Sequence, residues 1–400
     1  MGKTIKVDVE QIRSYRLYVH NLDKKNSISE MLSVSGTCGI QNSPPGAWET
    51  SMFNRIENCT LSILYNALYE QKNLLQAWSY RGAPVVFPTA QSDIFLSSLI
   101  AQEGEQPWIY TRGITLALEF LQMSFEELLP LVKNALKYLD THTISSKESL
   151  DNVLADIISD NLPKEKQNLW NFPSMYGHPD KQTVGGAVVS FLLRPCSFLG
   201  LVVFGQRDGI SPTFTSFKNW TGHEIMHLPN AEKELVKKYL HCYGPTTLTA
   251  FQNWLGCSPK QAKRLWDNVI DEMEQVSVNG KIRYMLSMDI DCLIHSKTND
   301  RQILLLGAHD PYLELKDRPT ILPDPALHKI VWKTVGNPGA VLKDGRIVGI
   351  WKAKTIKDKL DIIITLFEEI QQSEKQTMSD RAEEYTLFRK LNLRKVIIES

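Results

Sequence analysis

The chain has 400 residues, of which 42% are hydrophobic and 22% are charged, a composition typical of a globular protein with about two to four packing units. Its 45 basic and 45 acidic residues cancel to a formal net charge of zero, which argues against a protein that coats nucleic acid regardless of sequence. A local basic face would still suffice for DNA binding.

The cysteines, the N-terminus and one apolar stretch bear on the compartment. The six Cys are scattered without a C-x-x-C pair, so we expect reduced thiols, and the N-terminus lacks the apolar run of an export signal. The apolar stretch at 185–205 contains Arg194 and Pro195, which we expect to divide it into a buried helix and a buried strand, each too short to cross a membrane. We therefore expect a cytoplasmic monomer without a membrane partner.

Helix and turn signals alternate over residues 1–105. Asp8 is a suitable N-cap for a helix that runs to Val19, and Thr60 is a suitable N-cap for a later one. Further helices are predicted to begin at Ser27 and to cover 47–56, and a strand with a turn is predicted at 76–84.

Residues 106–230 repeat this plan less clearly. Helices are predicted at 124–139, 147–158 and about 182–193, followed by a hairpin of 199–205 and 211–217. No plain sequence repeat relates the two segments, so the recurrence of helices followed by a hairpin is an argument from pattern alone.

The clearest architecture lies at 231–290. Helices are predicted at 231–243, at 247–254 and from Ser258 towards Glu274, where Ser258-Pro259 is a strong helix start. Residues 275–284 then alternate apolar and polar side chains around Asn279-Gly280, a strong signal for a hairpin. Three helices and a hairpin, with a tight turn before the third helix, are typical of a winged helix-turn-helix.

Three basic residues share one face of the third of these helices. Lys260, Lys263 and Arg264 have the spacing i, i+3 and i+4 and lie near its N-terminal end, where a recognition helix meets the major groove or its phosphates. A basic solvated face with no role in DNA binding would produce the same pattern.

From about residue 303 the pattern changes to β structure. A strand is predicted at 303–308, a pair of strands at 339–351 closed by an Asp344-Gly345 turn, and a further strand at 360–367. These strands suit a small barrel or a curled sheet, and a last helix is predicted at 379–391. The most basic short stretch of the chain includes Arg346, Lys352 and Lys354. These residues would either contact phosphates or form the solvated rim of a hairpin.

A series of short motifs runs along the chain, beginning with the segment that contains Gly39, Gln41 and Ser43. This segment is similar to the G-L-Q-x-Q motif of the winged-helix DNA-binding family of AlkZ/YcaQ-like DNA glycosylases. Further segments that resemble the family follow in the same order, at 78–83, 198–205, 243–246, 305–312 and 341–351. No single motif is decisive, and the resemblance depends on their collinear order.

The resemblance implies an α+β fold of three tandem winged helices, at 1–105, 106–230 and 231–295, followed by a C-terminal small β-barrel at 296–400. It also implies a double-stranded DNA partner carrying alkylated or cross-linked bases. The implied reaction is hydrolysis of the N-glycosidic bond of alkylated bases or of interstrand cross-links, without a metal or another cofactor.

The resemblance also assigns residues. Members of the family use a Gln-x-Gln or Gln-x-Asp pair to place the hydrolytic water, and the matching positions here are Gln41 and Ser43. Arg81 lies in a segment similar to the family's R-G-T motif and is a candidate DNA contact. Ser43 departs from the pattern, because a serine can hydrogen-bond a water but is not a base without a partner.

Each of these residues has a structural alternative. Gln41 would also suit a satisfied polar group at a helix end, Arg81 a turn that ends a strand, and Asp310-Pro311 a turn without chemistry. The rival function is a non-catalytic winged-helix DNA-binding protein, either a regulator or a lesion-binding factor. Ser43 favours this rival, whereas Gln41 and the C-terminal domain favour the enzyme.

One motif suggests a different chemistry. His223, Glu224 and His227 match H-E-x-x-H, which on a helix supplies two zinc ligands and the base of a metallopeptidase. Pro229 follows so closely that only about one helical turn remains, and no third ligand is placed nearby, so we disfavour a zinc hydrolase. The sequence contains no P-loop, dinucleotide-binding or serine-hydrolase motif.

Overall fold

The computed structural model of the chain describes residues 5–105, 113–176, 182–297 and 302–399, and these form a mixed α+β protein. The α-helices, numbered along these residues, are α1 Val9–Val19, α2 Met31–Gly36, α3 Ala47–Arg55, α4 Leu61–Tyr65, α5 Ser92–Phe95, α6 Thr115–Leu121, α7 Phe125–Ala135, α8 Lys147–Ser159, α9 Lys164–Trp170, α10 Val184–Phe198, α11 Phe217–Thr221, α12 Ala231–Tyr243, α13 Leu248–Leu255, α14 Pro259–Asp267, α15 Ile290–His295, α16 His328–Val331 and α17 Gln372–Phe388. The strands are β1 Ile5–Val7, β2 Ile40–Gln41, β3 Leu74–Trp78, β4 Pro84–Pro88, β5 Ile144–Ser145, β6 Val203–Phe204, β7 Thr213–Thr215, β8 Met273–Val278, β9 Lys281–Leu286, β10 Ile303–Leu306, β11 Gly339–Lys343, β12 Arg346–Ile356, β13 Lys359–Leu366 and β14 Asn392–Glu399.

Local sequence signals correctly predict where two helices begin and where one hairpin turns. The Asp8 side chain accepts a hydrogen bond from the Gln11 backbone at 2.8 Å, and the Gln11 side chain accepts one from the Asp8 backbone at 3.0 Å, which closes a capping box at the start of α1. Ser258 is the N-cap of α14, and its side chain accepts a hydrogen bond from the Gln261 backbone. Asn279 and Gly280 join β8 to β9 with φ angles of 50° and 75°, as a type I′ hairpin turn requires.

The structure corrects our prediction for the apolar stretch at 185–205. We expected Arg194 and Pro195 to divide it, but α10 continues through Pro195 to Phe198. A proline in a helix removes one hydrogen bond, and here the neighbouring Cys196 and Phe198 are buried, so packing outweighs that loss. No helix among the described residues has both the length and the apolar character that crossing a membrane requires.

Two helix ends also differ from expectation. The helix predicted from Ser258 towards Glu274 ends at Asp267, and a 3₁₀ turn at Ile270–Glu272 leads into β8. The last helix begins earlier than predicted and ends at Phe388, after which the chain forms β14, a strand that we did not predict.

The chain divides into two compact units, the first of which contains Met1–Ala67, Val236–Phe251 and Val269–Ser400. In this unit β1 pairs in parallel with β8, which pairs antiparallel with β9. One core forms where this small sheet meets α1 and α15, and its buried residues are Val7, Ile12, Tyr15, Val19, Val276, Met285, Ile290 and Leu293.

The first unit also contains a five-stranded sheet in the order β10-β11-β12-β13-β14. Adjacent strands are antiparallel except β13 and β14, which are parallel. In the part of the chain that the structure describes, β10 and β14 are the two edges of this sheet, so it is open and the small barrel predicted for 296–400 is not confirmed. Helix α17 packs on the sheet against β10 and β14.

Helix α3 lies close to the same sheet because of a glycine. A Cβ atom on Gly307, the residue after β10, would stand 3.1 Å from Thr50 Cγ2 on α3, which is tighter than ordinary contact. The rings of Phe53 on α3 and Phe388 on α17 are 4.9 Å apart between centroids. These contacts fix α3, the helix that follows Gln41, against the C-terminal sheet.

The second unit contains Leu68–Leu235 and Gln252–Asn268. Strands β3 and β4 form an antiparallel hairpin, and β5, β7 and β6 form a small antiparallel sheet in that order. Helices α6 to α10 surround a core in which Leu128, Leu150, Trp170 and Val188 are fully buried. The boundary predicted between residues 105 and 106 adjoins residues outside the described ranges.

Candidate active site

The Gln41 segment is the turn between α2 and α3. It runs through β2 into a cis Ser43–Pro44 bond and ends at Gly46, whose φ of 92° is in the left-handed region that favours glycine. The Asn42 side-chain oxygen accepts a hydrogen bond from the Gly46 backbone at 2.7 Å, which closes the turn. Residues 39–46 therefore form an ordered turn with its own side-chain cap rather than a loose connection.

The two predicted catalytic residues differ in exposure. Gln41 keeps only 8% of its surface exposed at the end of β2, whereas Ser43 is half-buried. Asn42, between them, is 2% exposed and serves the turn. The structure thus places Gln41 and Ser43 two positions apart at the start of one ordered turn, with Gln41 the more tightly held of the two.

A buried carboxylate that the sequence did not indicate lies beside this turn. Glu49, in the first turn of α3, is 1% exposed, and a Cβ atom on Gly46 would stand 3.3 Å from its Oε2 atom. The Tyr65 hydroxyl donates to Glu49 Oε1 at 2.8 Å, and Arg389 forms an ion pair with Oε2. Both carboxylate oxygens are therefore engaged within the protein.

Arg389 is the charge that balances Glu49. Burial alone would lower the pKa of the Arg389 guanidinium, but its neighbours, Glu49 and Tyr385 among them, raise that pKa above its ordinary value. Its position 340 residues after Glu49 explains why no local pattern indicated the pair.

A cavity of about 380 Å³ opens next to the Gln41 turn. The turn residues Pro44 to Ala47 form one wall, Trp351 and Tyr385 supply aromatic surface, and Lys352 and Arg389 supply positive charge. The remaining lining residues are Thr50, Gly307, Ala308, Gly336, Asn337, Pro338, Gly339 and Ala353. The cavity thus brings Lys352, a predicted DNA contact, beside Pro44 and Gly46 of the turn, whereas Gln41 and Ser43 themselves are not among its lining residues.

The aromatic wall of this cavity is rigid. The Trp351 indole donates to the Leu306 carbonyl at 2.7 Å, and its ring contacts that of Tyr385 edge to face at 5.1 Å between centroids. A Cβ atom on Gly339 would stand 2.2 Å from Trp351 Nε1, so the indole requires glycine there. Trp351 and Tyr385 are only 5% and 9% exposed, so these rings shape the cavity but offer little open face to a ligand.

The other predicted cations of the C-terminal sheet lie on β12. Arg346 forms an ion pair with Glu368 at 2.8 Å, with both side chains about 40% exposed. Lys352 and Lys354 are exposed and two positions apart, so they project from the same face of the strand. Lys354 lies opposite Asp361 of β13, whose carboxylate binds Arg394.

Arg81 lies in the second unit, in the connection between β3 and β4. Its φ of 57° is unusual for a residue with a side chain. Its guanidinium donates to the Trp254 carbonyl at 2.9 Å and lies 5.0 Å from the centre of the Tyr80 ring, which stacks on Trp254. At least one donor of Arg81 is therefore used to join this connection to the end of α13.

The three basic residues of α14 have different surroundings. Lys260 is exposed and donates to the Glu103 carbonyl at 3.3 Å, and Lys263 forms an exposed ion pair with Asp267. Arg264 is 22% exposed and binds both Glu105 and Glu232, each at 2.7 Å. The predicted common basic face is thus limited to Lys260 and Lys263, because Arg264 is neutralised by two carboxylates.

The H-E-x-x-H residues do not form a zinc-peptidase site. Residues 223–228 are not helical, so the two histidines are not one turn apart on a helix. Glu224 binds Lys218 at 3.2 Å, and His227, whose side chain is 92% exposed, lies 3.4 Å from Asp93.

Asp310 does more than form the turn predicted from the sequence. It caps the turn at Pro311–Leu313 and forms an ion pair with Arg55.

Comparison with known proteins gives consistent results. Residues 34–388 match the family model described as DNA glycosylase AlkZ-like. An interstrand DNA cross-link repair glycosylase of Streptomyces sahachiroi is 23% identical over 378 residues, which cover 91% of each protein. The solved structure of the Streptomyces sahachiroi DNA glycosylase AlkZ is similar with a TM-score of 0.75 over 98% of this chain and 100% of that chain, at 18% identity. That structural likeness shows a shared fold.

Proposed function

Because the chain belongs to the AlkZ-like DNA glycosylase family, we propose that it hydrolyses the N-glycosidic bond of alkylated bases in double-stranded DNA, including bases joined in interstrand cross-links. The relative of Streptomyces sahachiroi that aligns over most of both chains is named for cross-link repair, which supports this substrate class. The observation that carries the proposal is the ordered Gln41 turn beside a cavity that combines aromatic surface with Lys352 and Arg389.

Hydrolysis of the N-glycosidic bond of an alkylated base requires few catalytic groups from the protein. A guanine alkylated at N7 is cationic, and when the bond between C1′ and N9 breaks, its electron pair neutralises the departing base. The sugar becomes an oxocarbenium-like cation, the oxygen of a water forms the new bond to C1′, and the proton of that water passes to solvent. A strong base is not required for attack on such a cation, and an oriented water with electrostatic support suffices.

We assign the orientation of that water to Gln41. Its amide can hold a water but cannot take its proton at neutral pH. Burial of most of the side chain restricts its rotamers, which is what orienting a water requires. Ser43, half-buried two positions later, would add a second hydrogen bond to the same water.

Glu49 is proposed as a positioning residue rather than the base. Both of its oxygens already accept hydrogen bonds, from Tyr65 and Arg389, and the residue is 1% exposed. With 1% of its surface exposed, Glu49 is closed off from solvent in this conformation. Its Oε2 atom stands only 3.3 Å from where a Cβ atom on Gly46 would be, so the carboxylate would keep the turn that contains Ser43 in place.

For DNA binding we propose the exposed cations and the winged-helix plan. Residues 1–105, 106–230 and 231–295 would each form a winged helix, and 296–400 a further domain whose strand β12 presents Lys352 and Lys354 to phosphates. Lys260 and Lys263 on α14 would contact the backbone in the manner of a recognition helix. Arg81 and Arg346 would contribute through the donors that their protein partners leave available, and Arg264 would hold α14 in place.

The test uses two duplexes of one sequence, one with a single N7-methylguanine and one with a nitrogen-mustard interstrand cross-link. Incubation with the full chain followed by alkali is expected to break the strand at the lesion and to release the cross-linked strands on a denaturing gel. The unmodified duplex is the control. Tight binding by fluorescence anisotropy with neither product would favour the non-catalytic alternative, and absence of binding at low salt would contradict both functions.

A further inference from the structure

A cluster of two thiols and one imidazole lies inside the first unit, outside the proposed reaction. The ligand atoms of His20, Cys38 and Cys242 all lie within 4.8 Å of one another. The three residues are 3%, 3% and 0% exposed. No disulfide joins any of the six cysteines, all of which are among the described residues. The other two cysteines of this unit, Cys59 and Cys292, do not belong to the cluster.

This set of side chains has the chemistry of a zinc site. Zn²⁺ binds thiolate sulfur at about 2.3 Å and imidazole nitrogen at about 2.0 Å, which places tetrahedral ligand atoms roughly 3.5–4 Å apart. A pair of ligand atoms at the 4.8 Å limit would need to approach by roughly 0.8–1.3 Å to reach that geometry. Two thiolates would also balance the charge of one Zn²⁺, so the filled site would bury no net charge.

The histidine is oriented as metal ligands usually are. His20 Nε2 is 3.0 Å from the Cys242 carbonyl oxygen, an arrangement in which the imidazole N–H donates and Nδ1 keeps the lone pair for a metal. The rings of Tyr243 and Tyr312 contact the His20 ring edge to face, at 5.3 and 5.6 Å between centroids. A hydrogen-bonded imidazole in an aromatic shell cannot rotate freely.

A fourth donor is close at hand. The Tyr243 hydroxyl lies 3.9 Å from Cys38 Sγ and donates to the Pro311 carbonyl at 3.1 Å. A water that is hydrogen-bonded to this hydroxyl would complete a four-coordinate site. Because all three principal ligands are buried, the ion would have no position open to substrate and would serve the structure.

We propose that His20, Cys38 and Cys242 bind one structural Zn²⁺ ion that fastens the Gln41 segment to the rest of its unit. His20 follows the last residue of α1, Cys242 lies in the last turn of α12, and Cys38 precedes Gln41 by three positions. The ion therefore joins three segments that are distant in sequence at the entrance to the catalytic turn. Burial favours a metal captured during folding over a disulfide used as a switch, since oxidants and thiols reach buried cysteines slowly.

The first experiment measures metal content. The full chain is purified from zinc-supplemented cells without an affinity tag that binds metal. We expect about one Zn²⁺ per chain by inductively coupled plasma mass spectrometry. Replacement by Co²⁺ is expected to give the visible absorption and the thiolate charge-transfer band of a tetrahedral site with sulfur ligands. These readouts do not depend on glycosylase activity, so they stand apart from the test of the proposed function.

Matched cysteine variants locate the site. Cys38→Ser and Cys242→Ser are expected to weaken Zn²⁺ binding more than about 100-fold, whereas Cys59→Ser and Cys292→Ser leave it unchanged. His20→Gln is expected to change the Co²⁺ spectrum. Wild-type protein that folds without bound Zn²⁺ and does not take up Zn²⁺ or Co²⁺ would overturn the proposal, as would metal retained in both cluster variants. A disulfide, detected as two thiols fewer than the six of the sequence after unfolding without reductant, would overturn it as well.

Discussion

Arg55 and Asp310 form a two-pronged ion pair across 255 positions of sequence, with nitrogen-to-oxygen distances of 2.7 and 2.8 Å. Their side chains are 3% and 0% exposed. Arg55 also donates to the carbonyls of His20 and Ser51, at 2.8 and 2.9 Å. The pair joins the end of α3 to the loop after β10, and α3 begins where the Gln41 turn ends.

Removal of the Asp310 charge should destabilise the protein strongly. Asp310→Asn leaves the buried Arg55 guanidinium without its counterion, and the expected loss is about 3–5 kcal/mol in the free energy of unfolding. Urea unfolding followed by tryptophan fluorescence measures it. The matched control is Glu368→Gln, which breaks the half-exposed pair with Arg346 and should cost less than about 1 kcal/mol. Equal losses in the two variants would contradict this account of the buried pair.

The same pair predicts a pH dependence. Burial alone would raise the pKa of the Asp310 carboxyl, but the charge and hydrogen bonds of Arg55 outweigh burial and hold that pKa below its ordinary value of 3.8. A depressed pKa in the folded state stabilises the protein above the pKa of the unfolded state. That stabilisation is lost as the pH falls from 3.8 through the folded-state pKa.

We therefore expect the stability difference between wild type and Asp310→Asn to be constant from pH 7 to about pH 5 and to shrink below about pH 4. Other titrating groups contribute equally to both proteins and cancel in the difference. Urea unfolding across this range measures it. A difference that grew as the pH fell below 4 would show that the sign of the shift is wrong.

The basic residues of α14 should separate into two groups. Lys260→Gln and Lys263→Gln are each expected to weaken DNA binding and to reduce the slope of log affinity against log salt by about 0.9. Arg264→Gln leaves Glu105, whose side chain is 2% exposed, without its partner and should instead lower the free energy of unfolding by about 3 kcal/mol. Anisotropy titrations over a salt series, with thermal unfolding of each variant, distinguish the two. A normal melting temperature for Arg264→Gln, with a reduced salt slope, would place Arg264 on the DNA instead.

Glu49 should act through the turn and not through proton transfer. Glu49→Gln keeps an acceptor for the Tyr65 hydroxyl but removes the charge that binds Arg389. We expect slower cleavage in single-turnover assays with DNA affinity unchanged. Because Glu49 is not the base, the pH profile of the residual activity should keep the wild-type shape.

The double variant Glu49→Gln with Arg389→Gln is the companion to that experiment. Removing both charges leaves no buried ion alone, so stability should recover part of what the single variant loses. A change in the pH profile of Glu49→Gln, without recovery in the double variant, would make Glu49 the general base.

The sequence was informative wherever a structure depends on neighbouring residues. The Asp8 cap, the Ser258 cap and the Asn279-Gly280 turn are set by side chains within three positions, and all three are present. The division expected at Pro195 failed because a local rule was outweighed by packing around α10.

What the sequence could not indicate depends on distant residues. Glu49 meets Arg389 after 340 positions and Arg264 meets Glu105 after 159, so neither pair leaves a local pattern. The sequence of β14 alternates only weakly between apolar and polar residues, and the strand forms because it pairs in parallel with β13. Gln41 could be singled out only through its resemblance to a family motif, since burial and the Asn42 cap of its turn become visible in the folded chain.

The most direct test of the central claim compares wild type with Gln41→Ala on a duplex containing one N7-methylguanine. Single-turnover cleavage is measured after alkali, and affinity is measured by anisotropy on the same duplex. The control variant is Gln376→Ala, which removes an exposed glutamine from α17. We predict that Gln41→Ala lowers the cleavage rate by about 100-fold or more with little change in affinity, while Gln376→Ala changes neither. Cleavage by Gln41→Ala at the wild-type rate would contradict the assignment of Gln41 to the hydrolytic water.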